Sequence, residues 1–138
     1  MGEVAPCANK GATVLVVDDE PIVLRLLDAI LLVHGYGVLA AATAAKALRL
    51  FERHAGTLCL LIIDIALSGM SGLELLDRLP TRTPRIPVLL ITGLGELEIE
   101  GKLPPHCLLL LHKPFKAAEL LDTVQAAISA VEPPACGA

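Results

Sequence analysis

Asp18 and Asp19, Asp64, Thr92 and Lys113 all stand at or just beyond the ends of short apolar runs. If those runs are neighbouring strands, the polar groups meet at one edge of a sheet. Three carboxylates gathered beside apolar residues repel one another, so stability alone is a poor reason for placing Asp18, Asp19 and Asp64 there. A hard divalent cation with oxygen ligands offsets the repulsion. Magnesium suits the role, because it uses few carboxylates, keeps several waters and leaves room for a phosphate oxygen. Lys113 adds a fixed positive charge and Thr92 a hydroxyl donor. A carboxylate nucleophile beside magnesium, with an ammonium and a hydroxyl aimed at the transferred oxygens, is equipped to form an acyl phosphate. Asp64 is the candidate nucleophile. Any one of these residues is ordinary at a strand end, but all five in this order are not.

The elements that must position them follow from periodicity. Thr13 to Val17 is a β-branched run with no helical period and reads as a buried strand. Pro21 suits a first helical turn, and Val23, Leu26, Leu27, Ile30 and Leu31 recur at helical spacing until Gly35 stops the helix. Val38 to Ala42 gives a second strand, and Thr43 caps a helix over Ala44 to His54. Leu58 to Ile63, apolar on both faces and ending at Asp64, belongs in the middle of a parallel sheet. Ser71 to Glu74 has the capping-box pattern and opens a helix that ends near Pro80. Pro87 to Ile91 and Cys107 to Leu111 are the remaining strands. A last helix runs from Lys116 to Val131, with Leu120, Val124, Ala127 and Val131 on one face. Strands alternating with helices over connections too long for hairpins imply an α/β fold, a doubly wound parallel sheet with right-handed crossovers. In such sheets the site lies at the carboxyl ends of the strands.

Composition narrows the function. A chain of 138 residues holds one ordinary domain. With 54% hydrophobic residues and only 2% aromatics, its core must be aliphatic. The net charge of -4 and the lack of a Lys/Arg cluster argue against nucleic-acid binding. No apolar run approaches the roughly 20 residues that span a bilayer, and Met1 to Lys10 does not read as a secretion signal, so a cytoplasmic protein is expected. Cys7, Cys59, Cys107 and Cys136 have no metal-site spacing and read as two small apolar residues and two tail thiols. His34, His54, His106 and His112 are scattered.

Four pieces together make the sequence resemble the response-regulator receiver domains of two-component signalling. They are Val-Leu-Val-Val-Asp18-Asp19-Glu20-Pro21, Leu-Ile-Ile-Asp64 with Gly72 eight residues on, Ile-Thr92-Gly93, and His-Lys113-Pro114-Phe115. The resemblance covers Ala12 to Val131 and implies a flavodoxin-like sheet of order 2-1-3-4-5. It leaves residues 1–11 as a flexible N-terminal segment and 132–138 as a disordered tail. It also implies that Asp64 is the phosphoacceptor and that Mg2+ is held by Asp18, Asp19, Asp64 and the Ala66 carbonyl. Thr92 and Lys113 would then bind the phosphoryl oxygens, and the Lys113-Pro114 bond would be cis. The implied partner is a histidine kinase or a phosphotransfer protein, with no nucleic acid or membrane involved.

Several positions depart from the family's habits. Ala66 and Leu94 stand where side chains commonly tune phosphoryl lifetime, and neither can orient an attacking water, so slow self-dephosphorylation is expected. Leu110 replaces the usual aromatic relay. Gly93, Gly95, Gly101 and Pro104-Pro105 restrict the expected fourth helix to about Glu96 to Glu100, short or disordered. Ser68 and Ser71 replace the usual Pro and Asp and are expected to affect loop stiffness more than chemistry. Lys116 is a poor cap for the last helix. On the first helix, Ile22, Leu24, Leu32 and Val33 are left facing solvent, an apolar patch suited to a docking partner. Two other functions fit less well. One is an interaction module of the same fold independent of phosphorylation, against which the intact site speaks. The other is a phosphohydrolase resembling the haloacid dehalogenases, which needs an Asp where Ala66 stands.

Overall fold

A computed structural model describes residues 12–79, 86–93 and 108–129. Five strands form one parallel sheet in the order β2-β1-β3-β4-β5. They are β1 (Thr13–Val17), β2 (Gly37–Ala41), β3 (Leu58–Asp64), β4 (Val88–Thr92) and β5 (Leu108–His112). The helices are α1 (Pro21–Val33), α2 (Ala44–His54), α3 (Gly72–Arg78) and α4 (Ala117–Ser129). The helix expected around Glu96 to Glu100 falls outside the described residues, as do Val131, both tails and three of the four cysteines. Among the described residues no helix is long and apolar enough to cross a membrane.

Alternation along the strands divides the core into two layers. Leu15, Val17, Leu61, Ile63, Val88 and Leu90 face α2 and α3, where Ala47, Phe51, Leu75 and Leu76 meet them. Val14, Val16, Leu60, Ile62, Leu89 and Ile91 face α1 and α4, against Leu27, Leu31, Leu120 and Val124. Every residue of β3 is buried, as its two-sided apolar run requires. Burial on both sides leaves β3 little freedom, and Asp64 ends it.

The helix ends follow local chemistry. Thr43 caps α2 by accepting from the Lys46 amide at 3.1 Å. Gly35, at φ +91°, closes α1, with its amide donating to the Leu32 carbonyl at 3.0 Å and the Tyr36 amide to Leu31 at 3.0 Å. Ser71 and Glu74 complete the capping box of α3 at 3.2 and 3.0 Å. For α4, Lys116 has no side-chain oxygen for the first-turn amides, and the Glu119 carboxylate makes the reverse half of a capping box by accepting from the Lys116 amide at 2.8 Å.

Two expectations need correction. On α1, Leu24 packs partly against the core and Leu26 is 45% exposed, so the outward apolar residues are Ile22, Leu26, Leu32 and Val33. The helix turns slightly from the face assigned by spacing. Cys59 is disulfide-bonded rather than a simple small apolar residue, and its partner lies outside the described residues.

Gly72 is where backbone geometry tolerates no side chain. Its amide donates to the Ile65 carbonyl at 2.7 Å, bringing the start of α3 onto the end of β3. A Cβ there would overlap the Asp64 carbonyl and press on the Ile63 side chain and the Ile65 Cα. Gly72→Ala should therefore cost about 2 kcal/mol or more through overpacking. Gly56→Ala, whose Cβ would meet nothing within 4 Å, should be nearly neutral. Urea unfolding midpoints of the two variants check the contrast.

Candidate functional site

The site forms where β1, β3, β4 and β5 end side by side. Asp18 continues β1 for one residue, its amide donating to the Ala41 carbonyl at 3.1 Å. Its carboxylate is buried. Oδ1 accepts from the Glu20 amide at 2.8 Å. Oδ2 lies 3.2 Å from the Lys113 Nζ but outside hydrogen-bond geometry, so this buried oxygen has no hydrogen-bond partner. Asp64 is only 3% exposed. Its Oδ1 accepts from the Ala66 amide at 3.1 Å and its Oδ2 from Lys113 Nζ at 3.1 Å. Thr92 is buried at the end of β4, and its carbonyl accepts from the Lys113 amide at 2.8 Å. That bond fixes the turn from which Lys113 reaches back, and the Lys113-Pro114 peptide is cis, as expected.

Lys113 also donates to Glu20 Oε1 at 2.8 Å. Its ammonium therefore contacts three carboxylates, those of Asp18, Glu20 and Asp64. Among the described residues these three offer oxygens within 4.8 Å of one another. Asp19 is not one of them. Its Oδ2 accepts instead from the Ser68 amide at 2.9 Å and the Ser68 hydroxyl at 2.5 Å. The expected group is thus brought together for Asp18, Asp64, Thr92 and Lys113, with Asp19 beside it and turned to the loop after β3. Glu20 was not singled out by the sequence reading. Its signal was its place in the run Asp18-Asp19-Glu20, but a residue just ahead of a helix is commonly acidic for other reasons. Ser68 does more than stiffen the loop, since it holds a carboxylate.

Electrostatics follow the geometry. Burial, reinforced by the Asp64 charge, pushes Asp18 up to about 6, against the opposing pull of the Glu20 amide and Lys113. The Ser68 hydroxyl, with help from the Ser68 amide, lowers Asp19 below the usual carboxylate range. For Lys113 burial works against the charge, but the bonds to Glu20 and Asp64 and the charges of Asp64 and Asp18 outweigh it, so its pKa is raised. An oxygen-only donor set with one buried oxygen lacking a hydrogen bond fits a hard divalent cation.

A family model described as "Response regulator receiver domain" matches residues 14–125. The chain belongs to that family. Sporulation initiation phosphotransferase F of Bacillus subtilis (strain 168) is 32% identical to this receiver over 113 residues, 81% of this chain and 90% of that protein. Response regulator protein FleR of Pseudomonas aeruginosa is 36% identical over 115 residues, 82% of this chain. The receiver spans 24% of FleR and 38% of the "Probable transcriptional regulatory protein TcrX" of Mycobacterium tuberculosis, so these relatives are much longer. Among solved structures, a response regulator receiver protein from Sinorhizobium medicae WSM419 matches with TM-score 0.77 at 27% identity, covering 89% of this chain and 98% of its own. A receiver domain protein from Clostridium thermocellum gives 0.74 at 28% identity, over 86% and 94%. The receiver's acidic pocket is the kind in which this family binds Mg2+.

The raised Asp18 pKa makes the metal-free receiver's stability depend on pH. A group whose folded pKa lies above its unfolded one contributes stability that is complete below the unfolded value, near 3.8, and lost as pH rises through about 6. In the presence of a chelator, Asp18→Asn should lack that loss. It should therefore gain on the wild type between pH 4 and 7, by up to about 3 kcal/mol. Urea midpoints of the two proteins across this range measure the difference, and parallel curves would refute it.

Proposed function

We propose that this receiver is a phosphoacceptor in a two-component phosphorelay, taking a phosphoryl group on Asp64 from a histidine kinase or a phosphotransfer protein. The carrying observation is the Lys113 ammonium held 3.1 Å from Asp64 and 3.2 Å from Asp18, at the strand edge that Thr92 also closes. An Asp64 carboxylate oxygen attacks the phosphorus of a phosphohistidine. The new O–P bond makes an acyl phosphate as the P–N bond breaks and its electron pair leaves with the imidazole. Lys113 offers its charge to a phosphoryl oxygen, and Thr92 its hydroxyl to another. Asp18, Asp19, Asp64 and the Ala66 carbonyl would hold Mg2+, with Glu20 a further candidate. The ion supplies positive charge against the phosphoryl oxygens as they gather on a carboxylate.

The domain acts as a signalling element rather than a turnover enzyme. The phosphohydrolase reading is weakened by Ala66, which offers no acid two residues after Asp64. Ala66, together with Leu94 outside the described residues, supports a long-lived acyl phosphate. Leu110 is an aliphatic, half-buried residue packed against the α2/α3 layer, so the state is reported through protein contacts without an aromatic swing. The 1–11 and 132–138 boundaries and a cytoplasmic location belong to this proposal.

Incubation with a small-molecule phosphodonor and magnesium should add one phosphoryl group by intact mass, absent in Asp64→Asn and persisting for minutes or longer. No gain in the wild type would sink the reading, and decay within seconds would sink the lifetime. The exposed Ile22 and Leu26 on α1, beside the site, suit a docking helix. Ile22→Glu with Leu26→Glu should slow transfer from a phosphotransfer protein at least about tenfold, equivalent to roughly 1.4 kcal/mol. Labelling by the small donor should be untouched. Equal slowing of both reactions would place the defect in folding or chemistry instead.

A further inference from the structure

We infer that Ser68 is a positioning residue that holds Asp19 out of the cation site, so that the loop between β3 and α3 sets how tightly the receiver binds magnesium. The inference rests on the reading of Asp19 and Asp64 as magnesium ligands. Asp19 lies between two members of the carboxylate cluster, Asp18 and Glu20, yet its oxygens are not among those gathered within 4.8 Å. Both Ser68 donors converge on one oxygen of Asp19, the amide at 2.9 Å and the hydroxyl at 2.5 Å. The two residues are 49 positions apart, so the tie joins the end of β1 to the loop after the phosphoacceptor strand.

Ser68 is not free to follow Asp19 inward. The loop is anchored behind it by the Gly72 amide on the Ile65 carbonyl at 2.7 Å and by the Ser71 and Glu74 capping bonds. Ahead of it, the Ile65 amide donates to the Ile91 carbonyl at 2.9 Å and the Ala66 amide to Asp64. For Asp19 to join a cation with Asp18 and Asp64, its carboxylate must turn from the position in which Oδ2 takes both Ser68 donors, which works against the hydroxyl bond. A hydrogen bond from a hydroxyl to a carboxylate is among the stronger kinds, so the equilibrium for cation entry carries the cost of weakening it. Ser68 is exposed, so removing its hydroxyl leaves no cavity and need not disturb the core.

Magnesium titration of the unphosphorylated full chain by calorimetry tests this without reference to phosphotransfer. Ser68→Ala should tighten magnesium binding about three- to tenfold. Ser68→Thr, which keeps a hydroxyl, should stay near the wild type, whereas Asp19→Asn and Asp64→Asn should weaken binding. Weakened binding in the two aspartate variants with unchanged or weaker binding in Ser68→Ala would overturn the role of Ser68 alone. Undetectable binding in the wild type, or wild-type affinity in both aspartate variants, would overturn the magnesium reading and this inference with it.

Discussion

One ammonium group set against three carboxylates organises this end of the molecule. Lys113 lies at 2.8 to 3.2 Å from Glu20, Asp64 and Asp18, the first and last from the connection after β1 and Asp64 from the end of β3. Without it, two nearly buried carboxylates would face each other at the edge of an aliphatic sheet, a costly arrangement. The same contact makes the site responsive. An ammonium has three donors and no acceptor, so anything that changes the charge on Asp64 changes what Lys113 must hold. Asp18 and Lys113 are both displaced upward, Asp18 because burial, reinforced by the Asp64 charge, disfavours its carboxylate, and Lys113 because the surrounding carboxylates favour its ammonium.

The scaffold serves that contact by keeping strand ends in register. Asp64 pairs with Ile91, and Thr92 with His112, so consecutive strands deliver their last residues to one edge. Backbone bonds extend the ladders slightly beyond the strands, from Asp18 to Ala41, Ile65 to Ile91 and Lys113 to Thr92. The functional side chains thus hang from backbone that is still hydrogen-bonded as sheet. Gly72 lets α3 start in direct contact with this edge, which sets a helix on one face against the Asp64 carbonyl.

Most of this was legible in the amino-acid order. β1, α1 and α2 fall where their β-branched run, proline and threonine cap put them, and β3 was readable because its apolar run is too short for a core helix. The other strands shift by about one residue, since a ladder ends where its neighbour ends and single runs do not encode that. Asp18, Asp64, Thr92 and Lys113 were identifiable because each follows an apolar run. What could not be read was pairing across the chain. Whether Asp19 turns to the cluster or to Ser68, and whether Glu20 reaches Lys113, depends on rotamers set by residues 49 and 93 positions away. Leu24 and Leu26 exchanged roles because both lie near the border of the apolar stripe on α1, where a small rotation decides which packs.

The alternation along β3 from Leu60 to Ile63 has a consequence for how such a domain diversifies. Leu61 and Ile63 belong to the layer under α2 and α3, and Leu60 and Ile62 to the layer under α1 and α4, with the strand backbone as the shared wall. Volume changes in one layer are absorbed by neighbours in that layer, and substitutions in separate clusters tend to add independently. The surfaces above the two layers are therefore free to drift apart in sequence. One can be refitted to a new partner while the other retains its own, provided the wall between them keeps its aliphatic parity.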